Sequence, residues 1–206
     1  MSEALLLQQF AREPVPGRVK TRMQPHLSAQ QACELHRELV LWTCTQLVEA
    51  ALGPVEICVA GDPADALFAR CRERGATAVV AQQGADLGAR MLHALQRGLR
   101  GHRKVLLVGS DCPAISPAYL ALASAALECA PVVLGPAHDG GYVLIGVTRV
   151  EPGIFTDVSW GGAEVYARTG RNLRALGLDW EALPPLQDID RPQDLPAWEA
   201  LRRCAL

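Results

Sequence analysis

The sequence has almost no charge imbalance and no long apolar run. Its 206 residues carry a formal net charge of -2, so no global positive field would attract nucleic acid or an anionic membrane. No stretch approaches the ~18 uninterrupted apolar residues of a membrane span. The first ten residues place a glutamate where a secretory signal needs positive charge. We therefore expect a cytoplasmic protein that binds neither nucleic acid nor membrane.

Several well-known ligand-binding motifs are also missing. The chain has no C-x-x-C pair, no H-x-x-x-H spacing, no G-x-x-x-x-G-K-[ST] and no G-x-G-x-x-G, which argues against zinc, a P-loop and the dinucleotide fingerprint. An odd number of cysteines argues against a disulfide framework. We expect them to be small core hydrophobes, with Cys112 as the one candidate nucleophile. The cysteines are Cys33, Cys44, Cys58, Cys71, Cys112, Cys129 and Cys204.

Short apolar runs alternate with helix-length segments along the chain. Asp86, Ser116 before Pro117, and Ser28 three residues before Gln31 are typical helix starts. The expected strands are 5–11, 54–60, 76–81, 104–111, 131–137 and 142–147. The expected helices are 28–52, 62–74, 86–101, 161–177 and two that begin at 116 and 192.

This alternation predicts the fold class. Half of the residues are hydrophobic and 20% are charged, which suits one compact domain spanning 1–206. Strands that alternate with helices of ten or more residues form mostly parallel sheets covered on both faces. We expect a single three-layer α/β/α domain with a mostly parallel mixed sheet, and a ligand beyond the carboxyl ends of its strands.

A basic loop follows the first expected strand, in the stretch FAREPVPGRVKTR. Gly17 lets the backbone approach an anion closely, and the neighbouring prolines stiffen the loop. Cationic side chains that converge on phosphate oxygens make charge-assisted hydrogen bonds, so the loop is typical of a di- or triphosphate site. The alternative is a solvated basic loop that contacts an acidic surface. The four cations are Arg12, Arg18, Lys20 and Arg22.

Three carboxylates are candidates for contact with a metal or a substrate. Asp111 ends the most apolar strand, where it can hold Mg²⁺ through oxygen ligands. Asp139 precedes a Gly-Gly turn and can meet a metal or an acceptor hydroxyl. Asp190 follows Asp188 by two residues, so both can reach one metal from an extended segment. Their structural alternatives are an Asx-type turn, a hairpin turn and a helix cap, respectively.

Five motifs occur in one order along the chain: FAREPVPGRVKTR, QQGADLGARM, LVGSDCPAIS, LGPAHDGGYVLIG and LQDIDRPQDL. Together they resemble a bacterial family of GT-A-like nucleotide-diphospho-sugar transferases, often labelled glycosyltransferases of arsenosugar biosynthesis. The likeness covers residues 5–195. More distantly, the layout is similar to that of molybdenum-cofactor and phospholactate guanylyltransferases. The resemblance implies a GT-A-like fold and a Mg²⁺ or Mn²⁺ cofactor.

The resemblance also implies roles for individual residues. The basic loop would grip phosphates, and Asp111 with Asp190 would bind the metal. Asp86 and Arg90 match a motif that lines the nucleotide pocket, although Asp86 also suits a helix start. Asp139 matches an acceptor-side or metal-side carboxylate.

The function favoured by this pattern is metal-dependent transfer of a sugar from a nucleotide-diphospho-sugar to a small-molecule acceptor. Lys20 and Asp111 would stabilise the leaving diphosphate, and Asp139 would accept the acceptor's proton. One alternative is a nucleotidyltransferase that joins a nucleoside triphosphate to a phosphorylated small molecule and releases pyrophosphate. Another is a non-catalytic nucleotide-binding regulator, because Gly161-Gly162 stands where the family usually has serine and threonine. A homo-oligomer is left open.

Overall fold

The computed structural model of the protein describes residues 3–24 and 26–204. Five residues of the expected domain lie outside the described part: Met1, Ser2, Pro25, Ala205 and Leu206. The strands are β1 (Glu3–Arg12), β2 (Val55–Ala60), β3 (Ala78–Ala81), β4 (His102–Val108), β5 (Val132–Pro136), β6 (Tyr142–Val147) and β7 (Trp180–Ala182). The helices are α1 (Ala29–Glu49), α2 (Ala66–Glu73), α3 (Leu87–Leu99), α4 (Pro117–Ala126), α5 (Val165–Ala175) and α6 (Leu195–Cys204).

The seven strands form one mixed sheet in the order β3-β2-β1-β4-β6-β5-β7. Among the described strands, β6 alone runs against its neighbours β4 and β5, and the other pairs are parallel. The apolar strand β4 takes the middle place in the sheet, as its sequence indicated. The prediction of a mostly parallel mixed sheet is confirmed.

Helices cover both faces of this sheet. On one face, Leu7 of β1 and Leu106 of β4 pack with α1, α2 and α4. On the other face, Val105 and Leu107 of β4 pack with α3 and α5. Successive residues of a strand point to opposite faces, so one apolar strand supplies both layers. The predicted α/β/α layering is confirmed, and no helix within residues 3–24 and 26–204 is long and apolar enough to cross a membrane.

Side-chain caps determine where three of the helices begin. The Ser28 hydroxyl accepts a hydrogen bond from the Gln31 amide at 3.2 Å, and the Ser28 amide donates to the Gln31 side chain at 2.9 Å. This reciprocal capping box opens α1. Asp86 accepts from the Ala89 amide at 2.8 Å at the start of α3, and Ser116 caps α4. All three starts lie where the sequence predicted them.

Three helices begin later than predicted, and one of them is α6, which starts at Leu195 after a 3-10 turn over Pro192–Asp194. The Asp62 carboxylate accepts from the Ala64 amide at 2.9 Å and forms a turn, so α2 starts only after Asp65, which caps it. The expected start at Gly161 is also wrong. Gly161 has a φ of +83°, which a right-handed helix does not contain, and α5 begins after Glu164.

The cysteines are mostly core residues, with one exception. Cys129 follows α4 and is exposed, so the prediction that every cysteine is a core residue is wrong at this position. The side chain of Cys204 lies outside the described part of the structure. All six described cysteines are free thiols, as predicted, and the five buried ones are Cys33, Cys44, Cys58, Cys71 and Cys112.

The carboxyl ends of β1, β2 and β4 meet at one edge of the sheet. Arg12 at the end of β1 pairs with Ala60 at the end of β2, and the Val108 end of β4 is next to β1. The antiparallel β6 starts at the same edge, because its Leu144 pairs with Val108. The loops after β1 and β4 and the turn before β6 therefore open together, where ligands of such sheets bind.

A partly buried ion pair joins strand β2 to helix α3. Glu56 of β2 is 6% exposed and bonds to both terminal nitrogens of Arg97 from α3, one of them at 2.7 Å. Gln8 donates to the same carboxylate at 3.0 Å. Burial raises the pKa of Glu56, but the hydrogen bonds and charge of Arg97 outweigh it, and the pKa is lowered. The ionised pair therefore stabilises the fold at neutral pH, and this contribution is lost as pH falls through the folded-state pKa.

We predict that Arg97→Leu lowers the free energy of unfolding by about 3 kcal/mol at pH 7, because it leaves the Glu56 charge buried without a partner. Urea unfolding followed by circular dichroism measures the loss. Glu56→Gln should cost less, since Arg97 is 33% exposed and can reach water. The difference between wild type and Arg97→Leu should shrink in acid. An unchanged urea midpoint for Arg97→Leu would contradict the account.

Candidate functional site

The basic loop after β1 folds as a turn that needs its glycine. The Val15 carbonyl accepts from the Arg18 amide at 3.0 Å, with Pro16 and Gly17 between them. Gly17 has a φ of +80°, and a proline followed by a left-handed glycine is the pattern of a type II turn. No atom lies within 4 Å of the position that a Cβ of Gly17 would take. The backbone at Gly17 therefore faces open space, which suits its predicted role beside an anion.

Lys20 points inward from this loop and joins three segments. Its side chain is 2% exposed, and its Nζ lies 2.8 Å from Oδ1 of Asp111, in the turn after β4. The same Nζ donates to the carbonyl of Ile189, in the segment that precedes α6. Lys20 has a φ of +50°, a left-handed conformation that is uncommon and strained for a residue with a side chain. One buried ammonium group thus ties together the loops after β1 and β4 and the C-terminal segment.

Asp111 is ionised and keeps a free side. Burial raises the pKa of Asp111, but the charges of Lys20 and Arg12 outweigh this effect, and the pKa is lowered. The Asp111 side chain is 51% exposed although Oδ1 is buried, and Oδ1 contacts Lys20 as an ion pair without a hydrogen bond of regular geometry. At neutral pH, Asp111 therefore presents a carboxylate oxygen to the solvent next to the basic loop.

Asp190 is a second point of contact between the C-terminal segment and the basic loop. Its Oδ2 accepts from Nη1 of Arg22 at 2.6 Å, and this hydrogen bond and charge raise the pKa of Arg22. The local turn is held by Asp194, whose carboxylate accepts from the amides of Asp190 and Arg191 at 3.0 and 2.7 Å. The side chain of Asp190 consequently faces Arg22, and the capping role considered for Asp190 belongs to Asp194.

His36 is a site residue to which the sequence assigned no role. It lies on α1, is 5% exposed, and its Nε2 is 3.0 Å from the Arg12 carbonyl. Because a carbonyl can only accept, the ring carries its proton on Nε2. Burial lowers the pKa of His36, so the ring is neutral at pH 7 and fixes the backbone of Arg12. The same helix also buries Thr43, so a polar residue on the buried side of α1 did not by itself single out His36.

These groups line one cleft of about 580 Å³ at the carboxyl edge of the sheet. The structure brings most of the predicted site residues together there, and Asp86, which also caps α3, is among them. Gly17 lies in the adjacent turn, outside the residues that line this cleft. The predicted residues in the lining are Arg12, Arg18, Lys20, Arg22, Asp86, Arg90, Asp111 and Asp190.

Three arginines of the cleft have no acidic partner. Within the described part of the chain, Arg12, Arg18 and Arg90 form no ion pair, whereas Lys20 and Arg22 do. The Arg90 side chain donates only to a backbone carbonyl, at 3.1 Å. Unpaired guanidinium groups that line a concave surface make it suitable for a ligand with several negative charges.

Four acids in or near the cleft allow a test of the predicted metal. Burial raises the pKa of Asp188 to about 6, and the nearby charges of Asp139, Asp190 and Asp111 add to this effect. No group of three His, Cys, Asp or Glu side chains in residues 3–24 and 26–204 is arranged to hold a metal ion. Magnesium needs only one or two carboxylates, since it keeps waters and takes substrate phosphates. Asp111 and Asp190 both line the cleft, and their carboxylate oxygens are the type of ligand that such an ion takes.

Asp139 forms the turn before β6. Its Oδ1 accepts from the Gly141 amide at 2.9 Å, which is the hairpin-turn role that the sequence left as the alternative. A Cβ at Gly140 would lie 2.0 Å from the carbonyl of Ala163, so this turn requires glycine. The exposed Asp139 lines a smaller cavity next to the cleft rather than the cleft itself. The acceptor-side or metal-side role that the resemblance implied for Asp139 stays a prediction.

Cys112 is not built as a nucleophile. It is 1% exposed, and its Sγ donates to the Gln187 carbonyl at 3.4 Å. Burial raises the pKa of Cys112 to about 12, so the thiolate is scarce at neutral pH. The hypothesis of a nucleophilic Cys112 is therefore not supported by its surroundings.

We predict that iodoacetamide at pH 8 alkylates Cys129 in the folded protein and leaves Cys112 unmodified, because only the former is exposed. Peptide mass mapping after a short reaction measures the occupancy of each described cysteine. Protein unfolded in urea is the control, in which both thiols should react. Alkylation of Cys112 at the rate of Cys129 in the folded protein would contradict the prediction.

Residues 43–162 match the family DUF2064, which is described as an uncharacterized protein conserved in bacteria. The chain belongs to the DUF2064 family. A phosphoenolpyruvate guanylyltransferase from Geodermatophilus obscurus is 33% identical to this DUF2064 protein over 186 residues, which cover 85% of this chain and 80% of the relative.

Solved structures show the same architecture as this DUF2064 protein. A candidate nucleotide-diphospho-sugar transferase from Desulfovibrio desulfuricans G20 matches with a TM-score of 0.82 and 34% identity, over 93% of this chain and 84% of the other. The 2-C-methyl-D-erythritol 4-phosphate cytidylyltransferase from Thermus thermophilus matches with a TM-score of 0.54 and 17% identity, over 98% and 100% of the chains, and shares the fold alone. The predicted resemblance and the predicted fold are confirmed.

Proposed function

We propose that this DUF2064 protein is a nucleotide-binding transferase that joins a nucleoside triphosphate to a phosphorylated small molecule and releases pyrophosphate. The observation that carries the proposal is a cleft in which three unpaired arginines surround the Lys20–Asp111 ion pair. The name of the Geodermatophilus obscurus relative, a guanylyltransferase, supports nucleotidyl transfer.

The charge of the cleft supports a triphosphate. Five cationic and three anionic side chains line it, an excess of two positive charges, since His36 is neutral. A nucleoside triphosphate with one bound divalent cation keeps a charge of about -2, whereas a nucleotide sugar with the same cation is close to neutral. The cleft is therefore complementary to the metal complex of a triphosphate.

In this proposal the side chains of the cleft act on the leaving group. An oxygen of the phosphorylated substrate forms a bond to the α-phosphorus, and the bond between that phosphorus and the oxygen bridging to the β-phosphorus breaks. Negative charge moves onto the departing pyrophosphate, where Arg12, Arg18 and Lys20 stabilise it with hydrogen bonds that are strongest in the transition state. Asp111 keeps the Nζ of Lys20 at this position in the free protein.

Asp111 and Asp190 would hold the Mg²⁺ or Mn²⁺ ion. When bound, the ion supplies charge neutralisation on the phosphate oxygens. The chain's own contribution is to keep Asp111 ionised, through the charges of Lys20 and Arg12, and to present its exposed oxygen to the cleft.

Sugar transfer from a nucleotide-diphospho-sugar is the second candidate. It is favoured by the match to the Desulfovibrio desulfuricans G20 protein, at 34% identity. In that case, Lys20 and the arginines would bind a diphosphate leaving group, and Asp139 would accept the proton of the acceptor hydroxyl. The released product separates the two functions, because nucleotidyl transfer yields pyrophosphate and sugar transfer yields a nucleoside diphosphate.

We predict that Arg18→Ala weakens binding of a nucleoside triphosphate with Mg²⁺ about 10- to 100-fold, as expected for the loss of a charge-assisted hydrogen bond. Isothermal titration calorimetry with ATP, GTP, CTP and UTP measures the change for the best ligand. Arg149→Ala removes an exposed arginine that pairs with Glu151 outside the cleft, and it should bind like wild type. Equal weakening in both variants would mean that only the overall charge matters.

We predict that Lys20→Ala and Asp111→Ala each lower turnover at least ~100-fold if these groups stabilise the transition state. Pyrophosphate release is measured with the triphosphates above and phosphoenolpyruvate, the substrate in the relative's name, or another phosphorylated small molecule. Circular dichroism shows whether each variant folds. Full activity in either variant would refute its assigned role, and nucleoside diphosphate in place of pyrophosphate would favour sugar transfer.

A further inference from the structure

A second, apolar cavity of about 200 Å³ adjoins the charged cleft. Phe10, Leu87 and Gly109 line both spaces, so the two open into each other at the carboxyl end of β4. No atom lies within 4 Å of the position that a Cβ of Gly109 would take. This glycine therefore leaves open space between the cleft and the cavity. A molecule held in the cleft can therefore extend a group into the cavity.

Aromatic and aliphatic side chains form the walls of this cavity. Trp160 packs edge-on against Tyr142, with ring centroids 6.4 Å apart, and at a tilt of 40° against Phe155, with ring centroids 6.3 Å apart. The buried Met91 and Val165 complete the inner wall. Asp139, at the rim, is the one charged residue in the described lining. A sugar ring would bring several hydroxyls to this surface and find few partners, so the cavity suits an apolar group.

The entrance of the cavity is apolar as well. Leu87 is 42% exposed and lies at the junction with the cleft. Large hydrophobic side chains with this much exposure are few in the described chain, and the others, Leu122 and Leu176, do not line the cavity. Because Leu87 also lines the cavity, it extends the apolar walls to the junction with the cleft.

The size of the cavity limits what can enter. An apolar cavity of ~150 Å³ holds benzene, and pockets that enclose a whole small ligand measure ~300–1,000 Å³. At about 200 Å³, this cavity is large enough for one aromatic ring or a short branched alkyl group and too small for an entire nucleotide. It would hold only one end of a substrate whose reactive group lies in the cleft.

We propose that this cavity binds an apolar substituent, an aromatic ring or a short branched alkyl group, on the second substrate. The assignment to a substrate rests on the proposed transferase function. The affinity of the cavity for an apolar group follows from its walls alone and is tested separately. Trp160 and Val165 are the residues that would determine this specificity.

Ligand-observed NMR with benzyl alcohol as the probe and glycerol as its polar counterpart tests the affinity of the cavity. Wild type should bind benzyl alcohol in preference to glycerol. Val165→Phe, which places a ring inside the cavity, should weaken benzyl alcohol binding at least ~10-fold. Trp160→Ala removes a wall at a partly exposed position and should also weaken it. Leu122→Phe introduces the same ring at an exposed position of α4, and this control variant should bind benzyl alcohol like wild type.

The same samples separate this inference from the proposed function. Binding of Mg²⁺ and the best triphosphate should persist in Val165→Phe and Trp160→Ala, since neither residue lines the cleft. Absence of benzyl alcohol binding to wild type, or equal binding to all variants, would overturn the inference even if nucleotides bind. Triphosphate binding that fails in wild type would instead overturn the proposed function.

If turnover is found, acceptors with a benzyl or isobutyl group should have at least ~10-fold lower KM than unsubstituted ones, and Val165→Phe should remove this preference. Equal KM values would also overturn the inference.

Discussion

The site depends on one buried ammonium group. A charge removed from water is costly unless it is paired and hydrogen-bonded, and Nζ of Lys20 meets this requirement with Asp111 and the Ile189 carbonyl. These partners come from two loops that are remote in sequence, so the basic loop, the turn after β4 and the segment before α6 depend on each other. The left-handed backbone of Lys20 costs about 1–3 kcal/mol, which the surrounding contacts have to offset.

The sheet places two different environments side by side. The parallel strands β1, β2 and β4 direct cationic and acidic loops to one edge, and the antiparallel β6 begins at the same edge. The result is a charged cleft that opens into an apolar cavity. In the proposed function, the cleft would bind the polyphosphate by charge, and the cavity would select the second molecule by shape and burial.

Much of the fold could be predicted because local signals and tertiary packing agree. Ser28 with Gln31 marks the start of α1, and the apolar run of β4 indicates burial on both faces. One error arose where two nearby aspartates could each cap a helix, because Asp65 caps α2 in place of Asp62. Another arose at Cys129, which is exposed although its side chain is small and apolar. In the site, residue types and chain positions indicated the basic loop and Asp111. Long-range pairing, such as His36 with the Arg12 carbonyl, depends on how α1 packs and leaves no mark at short spacing.

A crystal structure with Mg²⁺ and a non-hydrolysable nucleoside triphosphate is the most direct test of the central claim. The account predicts that the phosphates lie in the cleft within hydrogen-bonding distance of Lys20 and Arg18, with the divalent ion on Asp111. A triphosphate bound elsewhere on the molecule, with the Lys20–Asp111 pair untouched and the cleft empty, would contradict it.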